Sequence, residues 1–148
     1  MWNSWKHRLQ IARGLSASDW LALAEAWWKL LGYFLALRRK SFESLVAQNS
    51  ILRNAPPSLP AARRLRQLVI YASRLHLLPM TCLSQSLALR DMLGKRGISS
   101  EIRIGAKKAA RGIHAHAWVE IEGQTIGEPE DISDRFNVLD SVEPTTFR

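Results

Sequence analysis

The stretch "GIHAHAWVEIEG", residues 112–123, alternates polar and apolar side chains as a half-buried β-strand does. Successive side chains on a strand point to opposite faces. One face is small and aliphatic and suits a core; it carries Ala115, Ala117, Val119 and Ile121. The other face is polar and aromatic; it carries His114, His116, Trp118, Glu120 and Glu122. We expect this second face to meet solvent, a partner or an active site.

The segments on either side of this strand predict a small antiparallel sheet. Upstream, "ISSEIRIG", residues 98–105, alternates as a strand, and "AKKAARG", residues 106–112, is predicted to be a basic loop. Downstream, the chain turns near Gly123 and "QTIGE", residues 124–128, returns as a partner strand. A turn centred on Gly123 would pair Trp118 with Glu128 and His116 with Glu130, before Pro129 ends the ladder. Beyond Pro129 the acidic stretch is predicted to be loop.

A helix precedes the sheet and contains the single cysteine of the chain. In "TCLSQSLALRDMLGKRGI", residues 81–98, Thr81 is suited to the N-cap and Gly97 to the C-terminal stop. Cys82 therefore falls in the first helical turn. A further helix is predicted over residues 61–76, where apolar side chains recur at helical spacing.

The N-terminal part predicts helices and no strands. Ser18 is a candidate N-cap for a helix that runs to about Arg39, and a second helical piece covers residues 41–53. "NAPPSLP", residues 54–60, interrupts the chain. We therefore expect a helical, basic and aromatic extension over residues 1–60 and a core domain over residues 61–148.

The first long helix has an unusually wide apolar surface. Glu25 and Lys29 interrupt its apolar run, which argues against a membrane span. The remaining side chains offer more apolar surface than one small core needs, which indicates a partner site. They include Trp20, Trp27, Trp28, Leu30, Leu31 and Phe34.

Composition limits the class of protein. The apolar fraction of 47% indicates a folded chain, and one cysteine excludes both an internal disulfide and a multi-cysteine zinc site. No secretory signal is evident, so we expect a cytoplasmic protein. The net charge of +8 is concentrated in residues 1–80, which hold 12 Lys and Arg against 3 Asp and Glu. Such a surface attracts acidic partners or is simply well solvated.

Cys82 and the histidine strand together indicate nucleophilic catalysis. The amides at a helix N-terminus stabilise a thiolate and can hold an oxyanion. His116 is the candidate base, and Glu128, on the same predicted face one diagonal step away, is the candidate acid that orients it. The alternative for Cys82 is an inert, buried side chain.

The order of "CLSQSLAL", "KRGI" and "HAWVEIEG" resembles the transglutaminase-like leader peptidases of lasso-peptide biosynthesis. The resemblance covers about residues 60–130 and implies an α+β, papain-related fold with N-terminal helices, a catalytic helix and a small antiparallel sheet. It implies Cys82 as nucleophile, His116 as base and Glu128 as acid, with no cofactor and no metal. Papain-like enzymes place a glutamine six residues before the cysteine as an oxyanion donor, and this chain has His76 there.

The resemblance also implies the substrate and the partners. The substrate would be a ribosomally made precursor peptide cleaved at its leader–core junction, and His114, Trp118 and His76 are candidates to bind it. Since residues 1–60 lack a winged-helix pattern of strands, leader recognition would lie on a separate protein. A lasso cyclase is a further possible partner, and neither nucleic acid nor a membrane is expected.

Three other functions remain open from the residues. The same triad would serve another acyl or amide transferase, because fold and triad do not fix the acceptor. His114, His116 and Cys82 are also potential metal ligands. The basic and aromatic N-terminal helix would suit a non-catalytic adaptor for a partner or a membrane.

Overall fold

The computed structural model describes residues 14–47, 56 and 58–139. It contains the helices α1 (Ala17–Ala36), α2 (Phe42–Ala47), α3 (Leu59–Leu75) and α4 (Cys82–Lys95). The strands β1 (Glu101–Lys108), β2 (Ile113–Ile121) and β3 (Gln124–Thr125) follow, then helix α5 (Ile132–Arg135) and strand β4 (Asn137–Leu139). All strand pairs are antiparallel, in the order β3-β2-β1-β4. The predicted α+β fold, with helices followed by the cysteine helix and a small antiparallel sheet, is confirmed.

One core joins the helices to one face of the sheet. Its helical members are the apolar stripes of α1, α3 and α4, such as Leu30, Leu68 and Met92, all buried. The sheet contributes the aliphatic face predicted for β2, including Val119 and Ile121. Since α1 shares this core, the segment before position 60 packs directly on the segment after it.

A second, smaller core covers the opposite face of the sheet. Trp118, Ile132 and Phe136 form it. Trp118 is 1% exposed and its indole Nε1 donates to the buried carboxylate of Glu120 at 2.8 Å. The polar face of β2 is therefore covered by the protein itself along much of its length, where the sequence predicted contact with solvent, a partner or an active site.

The elements after Pro129 differ from the predicted loop. Helix α5 and strand β4 lie there, and β4 pairs with β1 through Ile104↔Leu139 and Gly105↔Val138. Strand β1 also extends through Lys108, into the segment predicted to be a basic loop, because β2 and β4 both pair with it. The pairing of β4 with β1 joins parts of the chain about 30 positions apart, which local patterns do not reveal.

The hairpin between β2 and β3 is offset by one position from the predicted register. Ile121 pairs with Gln124 and Glu120 with Thr125, so the turn has two central residues and is not centred on Gly123. The cause is the backbone of Glu122 and Gly123, which both have positive φ (49° and 76°), as a two-residue primed turn requires.

Helix α1 begins at a different cap from the one predicted. Ser16, and not Ser18, accepts a hydrogen bond from Asp19 N at 3.2 Å, and Asp19 Oδ2 accepts from Ser16 N at 3.0 Å. A capping box needs an acid three residues after the cap, which Ser16 has and Ser18 lacks. The predicted end near Arg39 is also late, since α1 ends at Ala36.

The apolar surface of α1 is divided between the core and solvent. Leu30 is fully buried and Trp27 packs against the core, so these two are not surplus. Leu21, Trp28 and Leu35 remain 75%, 67% and 51% exposed on one side of the helix. No helix in residues 14–47 and 58–139 is long and apolar enough to cross a membrane. The part of the predicted second helix beyond Ala47 lies outside the described residues.

Candidate active site

Cys82 is the first residue of α4, as the sequence predicted. Thr81 caps this helix: its Oγ1 accepts from Ser84 N at 3.2 Å and its carbonyl accepts from Gln85 N at 3.1 Å. The backbone amides of Cys82 and Leu83 lie before Ser84 N, the first amide that Thr81 caps. The thiol is half-buried and reduced. A thiol beside unshared amides at a helix N-terminus has the environment of a reactive cysteine.

Strand β2 carries His116 beside the acid predicted to orient it. His116 Nε2 lies 3.4 Å from Glu128 Oε1, and the two side chains are 21% and 14% exposed. When Nε2 carries the proton toward this carboxylate, Nδ1 is the nitrogen that can accept another. The imidazole also packs on Phe136, with 5.6 Å between ring centroids. The acid and the aromatic ring together limit rotation of the histidine side chain.

Glu128 reaches His116 by a different route from the predicted ladder. The observed register, if continued, would place Glu128 opposite Ala117 and on the wrong face. Pairing continues one residue beyond β3, where Ile126 N donates to Val119 O at 2.9 Å, and ends when Gly127 takes a φ of 74°. This left-handed backbone redirects the chain, so that Glu128 meets His116 after the ladder has ended.

Helix α3 contributes two polar contacts that sequence reasoning missed. Arg66 Nη2 donates to Glu128 Oε1 at 3.0 Å, and Arg66 Nη1 donates to Gln85 Oε1 at 3.0 Å. Gln85 lies three residues after Cys82, in the same helix. In the sequence, Arg66 is one of several basic side chains in a helical pattern. Its burial distinguishes it from the others, and that burial is known only from the fold.

A buried hydrogen bond joins the helix of Cys82 to the strand of His116. Ser86 Oγ donates to Ala117 O at 3.1 Å. Ser86 lies one helical turn after Cys82, and Ala117 is adjacent to His116. The elements that carry the thiol and the imidazole are therefore in direct contact.

The three candidates for substrate binding occupy different surroundings. His114 is exposed and touches the edge of Phe136, with 5.6 Å between ring centroids. Trp118 is enclosed in the small core, which places its ring out of reach of a peptide in this structure. His76 caps the end of α3, stacks on Trp27 with 4.3 Å between centroids, and has its Nε2 2.9 Å from Trp27 O.

Metal ligands do not cluster among the residues that the structure describes. Over 14–47 and 58–139, no group of three His, Cys, Asp or Glu side chains lies close enough to hold a metal ion. The pair formed by His116 and Glu128 is completed by Arg66, a cation, which suits an ion pair better than a metal site.

Comparison with known proteins identifies one family. The sequence profile of the transglutaminase-like superfamily matches residues 30–141, a range that includes Cys82, His116 and Glu128. The chain is also 29% identical over 68 residues to the microcin J25-processing protein McjB of Escherichia coli. That match covers 46% of this chain and 32% of the relative, so the chain aligns with about a third of the relative's length. No solved structure matches significantly.

Proposed function

Because the chain belongs to the transglutaminase-like superfamily, we propose that it is a cysteine peptidase that removes the leader from a lasso-peptide precursor. The observation that carries this proposal is the 3.4 Å contact between His116 and Glu128 on the strand next to the helix that Cys82 begins. The name of the E. coli relative, a microcin-processing protein, supports processing of a precursor peptide as the role.

In the proposed reaction, His116 Nδ1 takes the proton of the Cys82 thiol while Nε2–H remains directed at Glu128. The thiolate attacks the carbonyl carbon at the leader–core junction and forms a tetrahedral intermediate. The C–N bond then breaks, and the imidazolium gives its proton to the departing amine of the core peptide. Water, deprotonated by the same imidazole, hydrolyses the thioester, which releases the leader as a carboxylic acid and regenerates the thiol.

The oxyanion of each tetrahedral intermediate needs hydrogen-bond donors. We propose the amides of Cys82 and Leu83 for this role, since they lie at the N-terminus of α4. His76 is a weaker candidate than its position in the sequence indicated. Its Nε2 is engaged with Trp27 O, and a neutral imidazole has no second N–H to donate.

The proposed reaction requires partners that recognise and use the peptide. A separate protein would bind the leader, and a separate ATP-dependent cyclase would join the released amine to an acidic side chain of the core. The site would work in the cytoplasm without a cofactor.

Substitution of the nucleophile tests the proposal. Cys82→Ala should abolish removal of the leader from a lasso precursor when the recognition protein is present. Mass spectrometry of the peptide measures this removal, and the thermal melt of the variant should stay near that of the wild type. Alanine is compatible with a first helical turn, so folding should survive. Cleavage at the wild-type rate by Cys82→Ala would contradict the proposal. Product carrying an added amine in place of a new carboxylate would instead select the acyl transferase alternative.

A further inference from the structure

One carboxylate oxygen is shared by two side chains at the proposed site. Glu128 Oε1 lies 3.0 Å from Arg66 Nη2 and 3.4 Å from His116 Nε2. We propose that Arg66 is a positioning residue, which holds Glu128 where it can orient His116. This inference rests on the proposed function, because it concerns the acid of the same Cys–His–Glu site.

Glu128 depends on a side chain for its position because the sheet no longer holds it. Strand β3 consists of Gln124 and Thr125 alone, and Glu128 follows three residues later. Its own carbonyl accepts one long hydrogen bond, from Thr125 Oγ1 at 3.4 Å. Arg66 and His116 both pair with its carboxylate. Arg66 makes the shorter contact and therefore fixes the acid more firmly than the histidine does.

The backbone before Glu128 is fitted to the stem of the same arginine. Gly127 lies so close to Arg66 that a Cβ on the glycine would come within 2.6 Å of Arg66 Cγ. The segment 127–128 thus contacts Arg66 twice, through the glycine backbone and through the carboxylate. Packing and charge therefore both hold Glu128 in position.

Arg66 also connects the acid to the helix of the nucleophile. Its Nη1 donates to Gln85 Oε1, and Gln85 Nε2 lies 3.4 Å from Ser73 Oγ, which also belongs to α3. Gln85 is therefore bonded at both ends of its amide to α3. The planar guanidinium spans Glu128 and Gln85 simultaneously, which a lysine ammonium cannot reproduce with the same geometry. Arg66 thereby sets the distance between the acid and the first turn of α4.

The charge of Arg66 and its positioning of Glu128 have opposite effects on proton transfer to His116. A cation beside the shared oxygen competes with the imidazolium that forms during catalysis. If charge were the main contribution, loss of Arg66 would speed proton transfer to His116. If position is the main contribution, the same loss slows it. The sign of the change therefore distinguishes the two.

The test uses iodoacetamide as the probe, because Cys82 is the only thiol of the chain. The full chain is compared as wild type, Arg66→Met, Arg66→Lys and the matched control Arg64→Met. Arg64 lies on the same helix and pairs with Asp19 at 3.0 Å, away from the proposed site. Two quantities are measured: the rate of Cys82 alkylation by intact mass, and the tautomer of His116 by NMR of ¹⁵N-histidine-labelled protein.

We expect Arg66→Met to slow the alkylation that depends on His116 by about 10-fold, the effect typical of losing an outer partner of a site. His116 should change from the Nε2–H tautomer to a mixture. The alkylation rate of Arg66→Lys should lie between those of the wild type and Arg66→Met. Arg64→Met should match the wild type in both alkylation rate and tautomer. Wild-type or faster alkylation in Arg66→Met, with the tautomer unchanged, would overturn the proposal.

Failure of the proposed function gives a different result. If wild type and His116→Ala alkylate equally fast, the Cys–His pair is refuted, and the tautomer measurement alone decides the role of Arg66. If Arg66→Met does not fold, Arg66→Lys decides: full wild-type behaviour there would overturn positioning by the guanidinium.

Discussion

At the scale of single residues, two histidines on one strand have different neighbours. His116 contacts Glu128 and is mostly covered, whereas His114 is exposed and contacts the edge of Phe136. Side chains two positions apart on a strand are separated by roughly 6.5–7 Å, so both imidazoles cannot address one thiol. The environment therefore favours His116 over His114 for the proposed role of base.

This difference predicts unequal effects of removing each imidazole. His116→Ala should reduce leader cleavage by roughly 10²- to 10⁴-fold, the usual contribution of a general base. His114→Ala should have a small effect, expressed mainly in KM if this side chain contacts the peptide. Single-turnover cleavage of both variants by mass spectrometry measures this. Equal and complete losses that added zinc restores would favour a metal site.

The acid gives a second prediction at this scale. Glu128→Gln keeps the shape of the side chain but removes the charge that faces His116 and Arg66. Cleavage should fall by roughly 10²- to 10⁴-fold, as when the acid of other triads is lost. Glu130→Gln and Asp131→Asn are matched controls, because both side chains are exposed. Each should reduce the cleavage rate only slightly. A severe loss in Glu130→Gln with a mild one in Glu128→Gln would show that the acid was misassigned.

At the scale of elements, the turn after β3 decides where the acid points. Gly127 and Gly112 both have positive φ, 74° and 85°, but a Cβ at Gly112 would meet nothing within 4 Å. An alanine at either position costs about 1–2 kcal/mol of backbone strain. Only at Gly127 would it also collide with Arg66. Comparing alanine substitutions at Gly112 and Gly127 therefore distinguishes the effect of backbone strain from the effect of displacing Glu128.

We expect Gly112→Ala and Gly127→Ala both to lower the free energy of unfolding, with the larger loss at Gly127. Only Gly127→Ala should slow cleavage, because moving Arg66 disturbs Glu128. Urea unfolding and single-turnover cleavage provide the two measurements. Equal cleavage rates in the two variants would mean that the glycine does not place the acid.

Local signals explain which elements the sequence predicted well. The cap at Thr81, the position of Cys82 and the stop at Gly97 depend on neighbouring residues, and the structure has all three. The hairpin register failed because Glu122 adopts a positive φ, which is uncommon for a residue with a side chain. Strand β4 was missed because its partner β1 lies far away in the sequence. The link from Arg66 to Glu128 was missed for the same reason.

At the scale of the whole molecule, ion pairs join the helices around the core. Asp19 of α1 binds Arg64 of α3, and Lys29 of α1 binds Asp91 of α4. Burial lowers the pKa of Lys29, and its hydrogen bond to Asp91 opposes that effect. The hydrogen bond from Arg64 and the capping contacts with Ser16 lower the pKa of Asp19 from 3.8 to about 2. Charge therefore supports the attachment of α1.

The lowered pKa of Asp19 predicts how stability depends on pH. A carboxyl with a depressed pKa stabilises the fold above its unfolded pKa, and the contribution disappears as the pH falls toward its folded pKa. Asp19→Asn should therefore lower Tm near neutral pH, and the difference from wild type should close between about pH 4 and pH 2. Thermal melts across this range test it. Asp134→Asn, at an exposed position, is the control and should show no such convergence.

The wide sequence separation of the site contacts has a consequence for folding. Arg66 and Glu128 are 62 positions apart, and Ser86 and Ala117 are 31 apart. Contacts of this kind form only after long loops have closed, whereas helices form from local contacts. A chain refolding from denaturant should therefore regain its helical circular dichroism before it regains a reactive thiol. Early, partly folded molecules would have Cys82 on its helix but neither His116 nor Glu128 beside it, and would lack the proposed activity toward peptides.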